Sequence, residues 1–186
     1  LLGPAHHVFL RGMALPEAGA MATPLGDVPL DVEGVKVATQ QGVGWSAEAH
    51  EKEHALEVQL PFLQKVLGPF ALVPIVVGRA EPDDVAAVID ALAADDTLVV
   101  VSSDLSHYLT WSAARDVDEQ TAEQIVALDA EGLDSDHACG SAPLRGLLVW
   151  ARQKGLVARL LDLRNSGDTA GEKDRVVGYG AFAFED

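Results

Sequence analysis

Residues 97–108 read TLVVVSSDLSHY, an apolar run that leads directly into Ser102, Asp104 and His107. The first part, residues 97–101, is rich in β-branched residues and predicts a buried strand. In open α/β sheets, ligands bind beyond the carboxyl ends of the strands. The polar residues that follow this strand are therefore a candidate functional segment.

The rest of the chain alternates strand-like runs with helical patterns, which predicts an α/β fold in a single domain over residues 1–186. Leu1-Leu2 is expected to end a buried strand before a Gly-Pro turn. Further strands are predicted at residues 22–25, 71–77, 156–163 and 176–184, with Pro74 interrupting the second of these. Helices are predicted at residues 31–40, 53–67, 82–92, 112–128 and 141–154.

The composition indicates a folded, acidic protein. Of its 186 residues 48% are hydrophobic, and 13 Lys and Arg stand against 29 Asp and Glu, for a net charge of −16. Nucleic acid is an unexpected partner for so acidic a chain. No run approaches the roughly 20 apolar residues of a membrane span. The single cysteine favours a reducing compartment, and we expect a cytoplasmic protein.

Two short motifs contain residues that bind transition metals. His6 and His7 follow the first strand, and Cys139 precedes a helix. Imidazole and thiolate bind iron, copper or zinc, and at most one of the two adjacent histidines is expected to be a ligand. No local metal signature such as CxxC is present. The residues alone therefore leave a metal site and an inert buried Cys139 equally open.

His107 and Asp104 allow two interpretations. A histidine three residues after an aspartate, at the end of a strand, suits a positioned acid/base with a neighbouring carboxylate. In the other interpretation Asp104 caps the following turn, and His107 is a loop histidine with a local hydrogen bond. The hydrolase elbow G-x-S-x-G is absent.

The remaining polar residues have mainly structural explanations. Glu53 and Glu57 suit the N-terminal dipole of the helix predicted at residues 53–67, whereas His54 on that helix needs a partner. Asp168 fits a turn in a Gly-rich loop. The acidic run at residues 116–119 is expected to be a solvated helix face.

Taken in order, the motifs resemble those of the Memo family, whose bacterial and archaeal members are called AmmeMemoRadiSam system protein B. The resemblance covers nearly the whole chain. It rests on the motifs Gly3-Pro4-Ala5-His6-His7, residues 53–63 (EHALEVQLPFL), residues 102–108 (SSDLSHY), Ala138-Cys139-Gly140, residues 165–169 (NSGDT) and residues 177–182 (VGYGAF).

The resemblance implies a mixed sheet flanked by helices, similar to the class III extradiol dioxygenases (LigB-like). It also implies a redox metal, Fe(II) or Cu, held by two histidines and a cysteine, with Zn less favoured. His6 and Cys139 match two of these ligands. His107 matches an acid/base position with Asp104 beside it. The residues that match the lining of the cleft are His7, His54, Asn165 and Asp168.

The chain departs from the family pattern in two places. The family's other histidine ligand belongs to a Pro-His-Ala-Gly-Tyr motif upstream of the first strand, and the expectation is that this N-terminal segment is missing here. Ala5 also replaces a common serine. Metal affinity is expected to suffer from the loss of one ligand.

Three functions are consistent with the resemblance. The first is a metal-dependent, dioxygenase-like redox enzyme of the AmmeMemoRadiSam system, acting on a small molecule or peptide in the cleft. The second is a non-catalytic module that binds a peptide or partner, with an AMMECR1-like protein and a radical-SAM protein as expected partners. The third is a zinc hydrolase.

Overall fold

The computed structural model describes residues 1–169 and 171–185. The chain divides into two compact units, Leu1–Ser102 and Ser103–Asp186. Each unit has its own sheet and its own buried side chains. The single domain over residues 1–186 stays a prediction. Among the described residues, no helix combines the length and the apolar character needed to cross a membrane.

The first unit contains a mixed sheet with helices. In chain order its elements are β1 (Leu2–Pro4), β2 (Met13–Leu15), β3 (Ala20–Met21), β4 (Val28–Pro29), α1 (Val32–Gln40), β5 (Gly44–Trp45), α2 (Ala47–Glu51), a 3-10 turn (Glu57–Gln59), α3 (Leu60–Leu67), β6 (Ile75–Val77) and α4 (Pro82–Leu92). The main sheet has the order β1-β6-β2-β5, and β6 runs parallel to β1 but antiparallel to β2. This confirms the predicted α/β class with a mixed sheet flanked by helices.

Local sequence signals account for the helices of this unit. The side chain of Asp31 accepts the N–H groups of Glu33 and Gly34, both at 3.1 Å, and so caps α1 as predicted. Pro82 lies in the first turn of α4, where it removes no helical hydrogen bond. The apolar side of α4 is buried through Val85 and Val88, as its periodicity predicts.

The second unit packs helices against an antiparallel sheet. Its elements are β7 (His107–Leu109), α5 (Trp111–Val126), α6 (Ser141–Lys154), β8 (Val157–Asn165), a 3-10 turn (Ser166–Asp168) and β9 (Val176–Glu185). The sheet has the order β7-β9-β8, and α5 packs against β8 and β9. The two predicted helices and the two predicted strands of this region are confirmed to within two residues at each end.

The prediction of a strand at residues 97–101 is wrong. Only Val101 forms a bridge, with Leu2. The Leu2 N–H donates to the carbonyl of Val100, and the Ser102 N–H donates to the carbonyl of Leu2, each at 2.8 Å. Leu98 is 58% exposed. The apolar run is extended beside β1, but it makes too few consecutive bonds to form a ladder.

The helix predicted at residues 53–67 begins only at Leu60. The carboxylate of Glu53 accepts the N–H groups of His54 and Ala55, and these bonds turn the chain instead of continuing a helix. Pro61 then lies in the first turn of α3 and suits a helix start there. The sequence periodicity revealed the apolar face of α3. It did not reveal that the Glu53 carboxylate binds backbone N–H groups just before that helix and so turns the chain.

Three further boundaries differ from the predictions. The strand predicted at residues 71–77 is reduced to β6, because Pro74 has no N–H to donate. No strand forms at residues 22–25, where the Thr23 hydroxyl accepts the N–H of Leu25 in a turn. Gly3 and Pro4 belong to β1 and not to a turn, and Gly3 packs so closely on Leu56 that a Cβ would lie 2.9 Å from its Cδ2.

Candidate metal centre

Asp104, His107 and Cys139 form a cluster in the second unit. One possible ligand atom from each side chain lies within 4.8 Å of the other two, and all three residues are half-buried. Asp104 Oδ2 is 3.7 Å from His107 Nε2. Two ligands bound at about 2.0–2.3 Å to a tetrahedral metal are separated by roughly 3.3–3.8 Å. The donor set could therefore hold a transition metal, and the separation between Asp104 and His107 already lies in this range.

Backbone bonds hold Cys139 against the segment that carries Asp104. The Cys139 N–H donates to the Asp104 carbonyl, and the Asp104 N–H donates to Cys139 Sγ, both at 3.2 Å. The Ser103 hydroxyl accepts the Gly140 N–H at 2.8 Å and lies 3.7 Å from Sγ. The segment of Ser103 and Asp104 and the segment of Cys139, which are distant in sequence, thus meet at the Cys139 sulfur.

Burial raises the pKa of the Cys139 thiol above its ordinary value. The Asp104 N–H and the Ser103 hydroxyl oppose this effect by stabilising a thiolate, whereas the Asp104 carboxylate adds to it. The net result is a raised pKa. Without a metal, the thiol therefore carries its proton at neutral pH.

This raised pKa predicts slow alkylation of Cys139. Because the thiolate is the nucleophile, reaction with iodoacetamide at pH 7.5 should be at least about three-fold slower than in the urea-unfolded chain. The rate should rise with pH, since deprotonation produces thiolate, and the rise should come at a higher pH than in the unfolded chain. Mass spectrometry of the metal-free protein from pH 7 to pH 10 measures this. Equal rates for folded and unfolded chains would contradict it.

His107 is placed by a short, tightly bonded backbone segment. In the β7–β9 ladder His107 pairs with Val177. Just before it, the Ser106 N–H donates to Asp118 Oδ1 at 2.9 Å, and the Gly178 N–H donates to the Ser106 carbonyl at 2.8 Å. The position of His107 therefore depends on an acceptor supplied by α5.

Asp118 is a residue whose role the sequence did not reveal. It is 2% exposed, so the prediction of a solvated face at residues 116–119 is wrong at this position. Burial raises the pKa of its carboxyl group, and the bonds from Ser106 oppose that rise. A usable signal existed, because Asp118 continues the buried α5 face of Ala114, Ala122 and Ile125.

In the first unit, His6 is bound to the buried carboxylate of Glu53. The His6 N–H donates to Glu53 Oε2 at 2.7 Å, and His6 Nδ1 lies 2.8 Å from Oε1. Burial by itself would raise the pKa of Glu53, but the hydrogen bonds from His6 and Ala55 outweigh it, and the pKa is lowered. Glu53 lies outside any helix, so its predicted dipole role is wrong. Its spacing before Leu56 and Leu60 places it on the apolar face, which signals burial.

His7 and His54 lie beside His6 on the surface of the first unit. The ring centroids of His6 and His7, and those of His7 and His54, are each 6.4 Å apart in edge-to-face contacts. The partner that His54 needs is Glu57, whose Oε1 lies 2.7 Å from Nδ1, and the His54 side chain is 77% exposed. The structure thus brings three of the predicted site histidines together.

Asn165 and Asp168 cap the 3-10 turn after β8. The Asn165 N–H donates to Asp168 Oδ2 at 2.9 Å, and the Gly167 N–H donates to Asn165 Oδ1 at 3.0 Å. Trp111 Nε1 donates to Asp168 Oδ1, and these bonds from Asn165 and Trp111 lower the pKa of Asp168. The predicted turn role of Asp168 is confirmed. A lining role for the two residues stays a prediction.

The predicted site residues fall in both units. Asp104, His107 and Cys139 come together in the second unit, and His6, His7 and His54 come together in the first. The pairing of His6 with Cys139 as ligands stays a prediction, because these residues belong to separate units.

The fold and site define an α/β protein with a cluster of one imidazole, one thiol and one carboxylate that could hold a metal ion. A family profile described as "Memo-like protein" matches residues 1–183. A MEMO1 family protein of Sulfolobus acidocaldarius is 34% identical over 203 residues, covering 100% of this chain and 71% of that protein. One of Methanosarcina acetivorans is 35% identical over 201 residues, covering 100% and 74%. The chain belongs to the Memo-like family.

Proposed function

We propose that the protein is a metal-dependent oxidoreductase whose metal is bound by Asp104, His107 and Cys139. The observation that carries the proposal is the convergence of one carboxylate, one imidazole and one thiol within 4.8 Å. The Cys139 N–H donates to the Asp104 carbonyl and the Asp104 N–H donates to Cys139 Sγ, so little ordering of these two residues is needed when a metal binds.

The donor chemistry favours Fe(II) or Cu as the ion. Sulfur and imidazole nitrogen are softer ligands than the oxygens preferred by magnesium or calcium. Such an ion, when bound, supplies one-electron chemistry toward dioxygen or an oxidisable substrate. A reducing, cytoplasmic compartment would keep the Cys139 thiol available as a ligand. Zinc fits the same donors and gives the hydrolase alternative.

His107 could act either as a metal ligand or as an acid/base, and one variant distinguishes the two roles. In the arrangement proposed here, its Nε2 is a ligand alongside Asp104 and Cys139. The competing assignment, implied by the resemblance, is an acid/base that exchanges a proton with substrate at Nε2. A His107→Ala variant that loses its metal supports the ligand, whereas one that keeps its metal and loses turnover supports the acid/base.

Metal content and dioxygen consumption test the proposed function. After anaerobic loading with Fe(II) or Cu and desalting, the protein should retain near-stoichiometric metal and consume dioxygen with a catechol-type substrate. His137→Ala is a matched control, because His137 lies near Cys139 in sequence but pairs with Asp134 at 2.7 Å, outside the cluster. A wild-type protein that retains no Fe, Cu or Zn would refute the proposal. Zn retained without redox turnover would favour the hydrolase.

Tyr108 favours a second candidate, a module that binds a peptide or partner protein. Tyr108 is 63% exposed and adopts a left-handed φ of 60° at a register shift in β7, next to His107. Arg175 lies 4.3 Å above its ring. An exposed aromatic held in a strained conformation suits a contact surface. Recovery of an AMMECR1-like or radical-SAM protein by a metal-free Asp104→Ala/Cys139→Ala variant would favour this role.

A further inference from the structure

We propose that Arg175, stacked on Tyr108, binds a carboxylate group of the substrate beside the candidate metal centre. The inference names the chemical class of the substrate, and its link to turnover rests on the proposed function. The binding of a carboxylate by Arg175 itself requires no metal, so it can be measured in the metal-free protein.

The Arg175 guanidinium is held in place while its N–H groups stay available. Arg175 is exposed and directly precedes β9. Its guanidinium carbon lies 4.3 Å from the centroid of the Tyr108 ring, a cation–π contact. Among residues 1–169 and 171–185, no hydrogen bond or ion pair of the Arg175 side chain is present, not even with the neighbouring Asp174. Its donors are therefore free to bind a ligand.

Arg115 makes the same kind of aromatic contact but already has an anionic partner. Its guanidinium carbon lies 4.9 Å from the centroid of the Trp111 ring, and its Nη2 donates to Glu119 Oε1 at 3.1 Å. The chain has 29 acidic residues against 13 basic ones, so carboxylates are plentiful. An arginine that is stacked but unpaired in such a chain is suited to bind a carboxylate from outside. Arg115 is therefore a matched control for Arg175.

Tyr108 connects Arg175 to the candidate metal centre. Its ring centroid lies 5.7 Å from that of His107 in an edge-to-face contact. Tyr108 adopts a left-handed φ of 60° at the register shift of β7. Residues other than glycine are strained in this conformation, and such positions concentrate at functional sites. The strained backbone thus places the Tyr108 ring, and with it the Arg175 guanidinium, beside a candidate metal ligand.

The guanidinium group determines the class of ligand. Its planar fork of N–H donors matches the two oxygens of a carboxylate, and such charge-assisted bonds are stronger than neutral ones. The carboxylate of Asp104 and the net charge of −16 repel anions, so an anionic substrate needs a local cation, which Arg175 supplies. A phosphate ester carries more negative charge than a carboxylate and is repelled more strongly. A carboxylate is therefore favoured.

Titration of the metal-free chain with benzoate, followed by NMR of the arginine Nε–H groups, tests the binding. Benzoate should shift the Arg175 resonance, whereas the neutral isostere benzamide should not. Arg175→Gln should weaken benzoate binding about 10- to 100-fold, because hydrogen bonds between charged groups are lost. Arg175→Lys keeps the charge without the planar fork and should bind with intermediate affinity. Arg115→Gln should bind benzoate as the wild type does.

The Cu(II)-loaded protein tests whether the bound carboxylate lies near the metal. The paramagnetic ion should broaden the proton resonances of exchanging benzoate. The broadening should be largely lost in Arg175→Gln and retained in Arg115→Gln. A protein that holds Cu(II) and binds benzoate without broadening it would overturn the substrate role, since the carboxylate would then belong to a remote ligand.

The outcomes separate this inference from the proposed function. An Arg175 resonance that benzoate leaves unshifted, or phenyl phosphate that binds through Arg175 more tightly than benzoate, would overturn the carboxylate assignment. Should Arg175→Gln fail to fold, the wild-type response to benzoate and benzamide still decides. Benzoate binding through Arg175 in a protein that retains no metal would support carboxylate recognition and refute the metal function.

Discussion

Cys139→Ala is expected to lose most of the bound metal, with an affinity at least about 100-fold weaker than that of the wild type. Removing a residue that only hydrogen-bonds a metal ligand already lowers metal affinity about 10- to 100-fold, and losing the ligand itself should lower it further. Cys139 is the only cysteine of the chain, so no other thiol can replace it. Elemental analysis after desalting, together with the thiolate-to-metal absorption of the Cu(II) form, measures the loss.

Cys139→Ser separates ligation from packing. A hydroxyl of similar size can still accept the Asp104 N–H that now donates to Sγ. This variant should fold normally, yet it should lose the sulfur-to-metal absorption and most of the metal, because a neutral hydroxyl is a poor ligand for Cu or Fe(II). Metal content unchanged in both variants would contradict the assignment of Cys139.

Gly178→Ala is expected to lower the free energy of unfolding by about 2–5 kcal/mol, combining overpacking with a lost buried hydrogen bond. A Cβ at Gly178 would fall on the carboxylate of Asp118. Asp118 is buried and cannot move into solvent without releasing the Ser106 N–H. Urea denaturation followed by circular dichroism gives the change in midpoint.

The same substitution should also weaken metal binding, because the displaced Ser106 directly precedes His107. Gly19→Ala is the control, since a Cβ there meets nothing within 4 Å and its φ lies outside the left-handed region. Its effect should stay within about 0.5 kcal/mol. An unfolding midpoint for Gly178→Ala equal to that of the control would disprove the steric argument.

Local patterns predicted much of this fold. The periodic apolar residues of α4, the cap at Asp31 and the extents predicted for α5, α6, β8 and β9 all express short-range rules, and the structure confirms them. Residues 97–101 show the limit of such rules. Their β-branched run resembles a buried strand, yet a strand needs a series of bonds to successive residues of a partner. Within the described part of the chain, this run has a single bridge, from Val101 to Leu2.

The candidate site divides in the same way. The types of residue that bind a transition metal were visible in the sequence, where Cys139 was singled out as a ligand and Asp104 and His107 as an acid/base pair. Their meeting within 4.8 Å was not visible, because Cys139 lies 32 positions after His107 in the sequence. Glu53 and Asp118 went unrecognised for a related reason. A carboxylate on a helix-like pattern usually faces water. The apolar spacing signalled burial at both positions, but only the surrounding structure shows which N–H groups each carboxylate accepts.

Composition, periodicity and capping residues thus predicted an acidic α/β protein and the chemistry of its candidate ligands, since these signals act over a few residues. Three features depended on the folded chain: the ladder that β1 forms, the cluster of Asp104, His107 and Cys139, and the carboxylates that hold His6 and Ser106. Each of these joins groups far apart in sequence. Their free energies depend on burial and on geometry that local pattern does not encode.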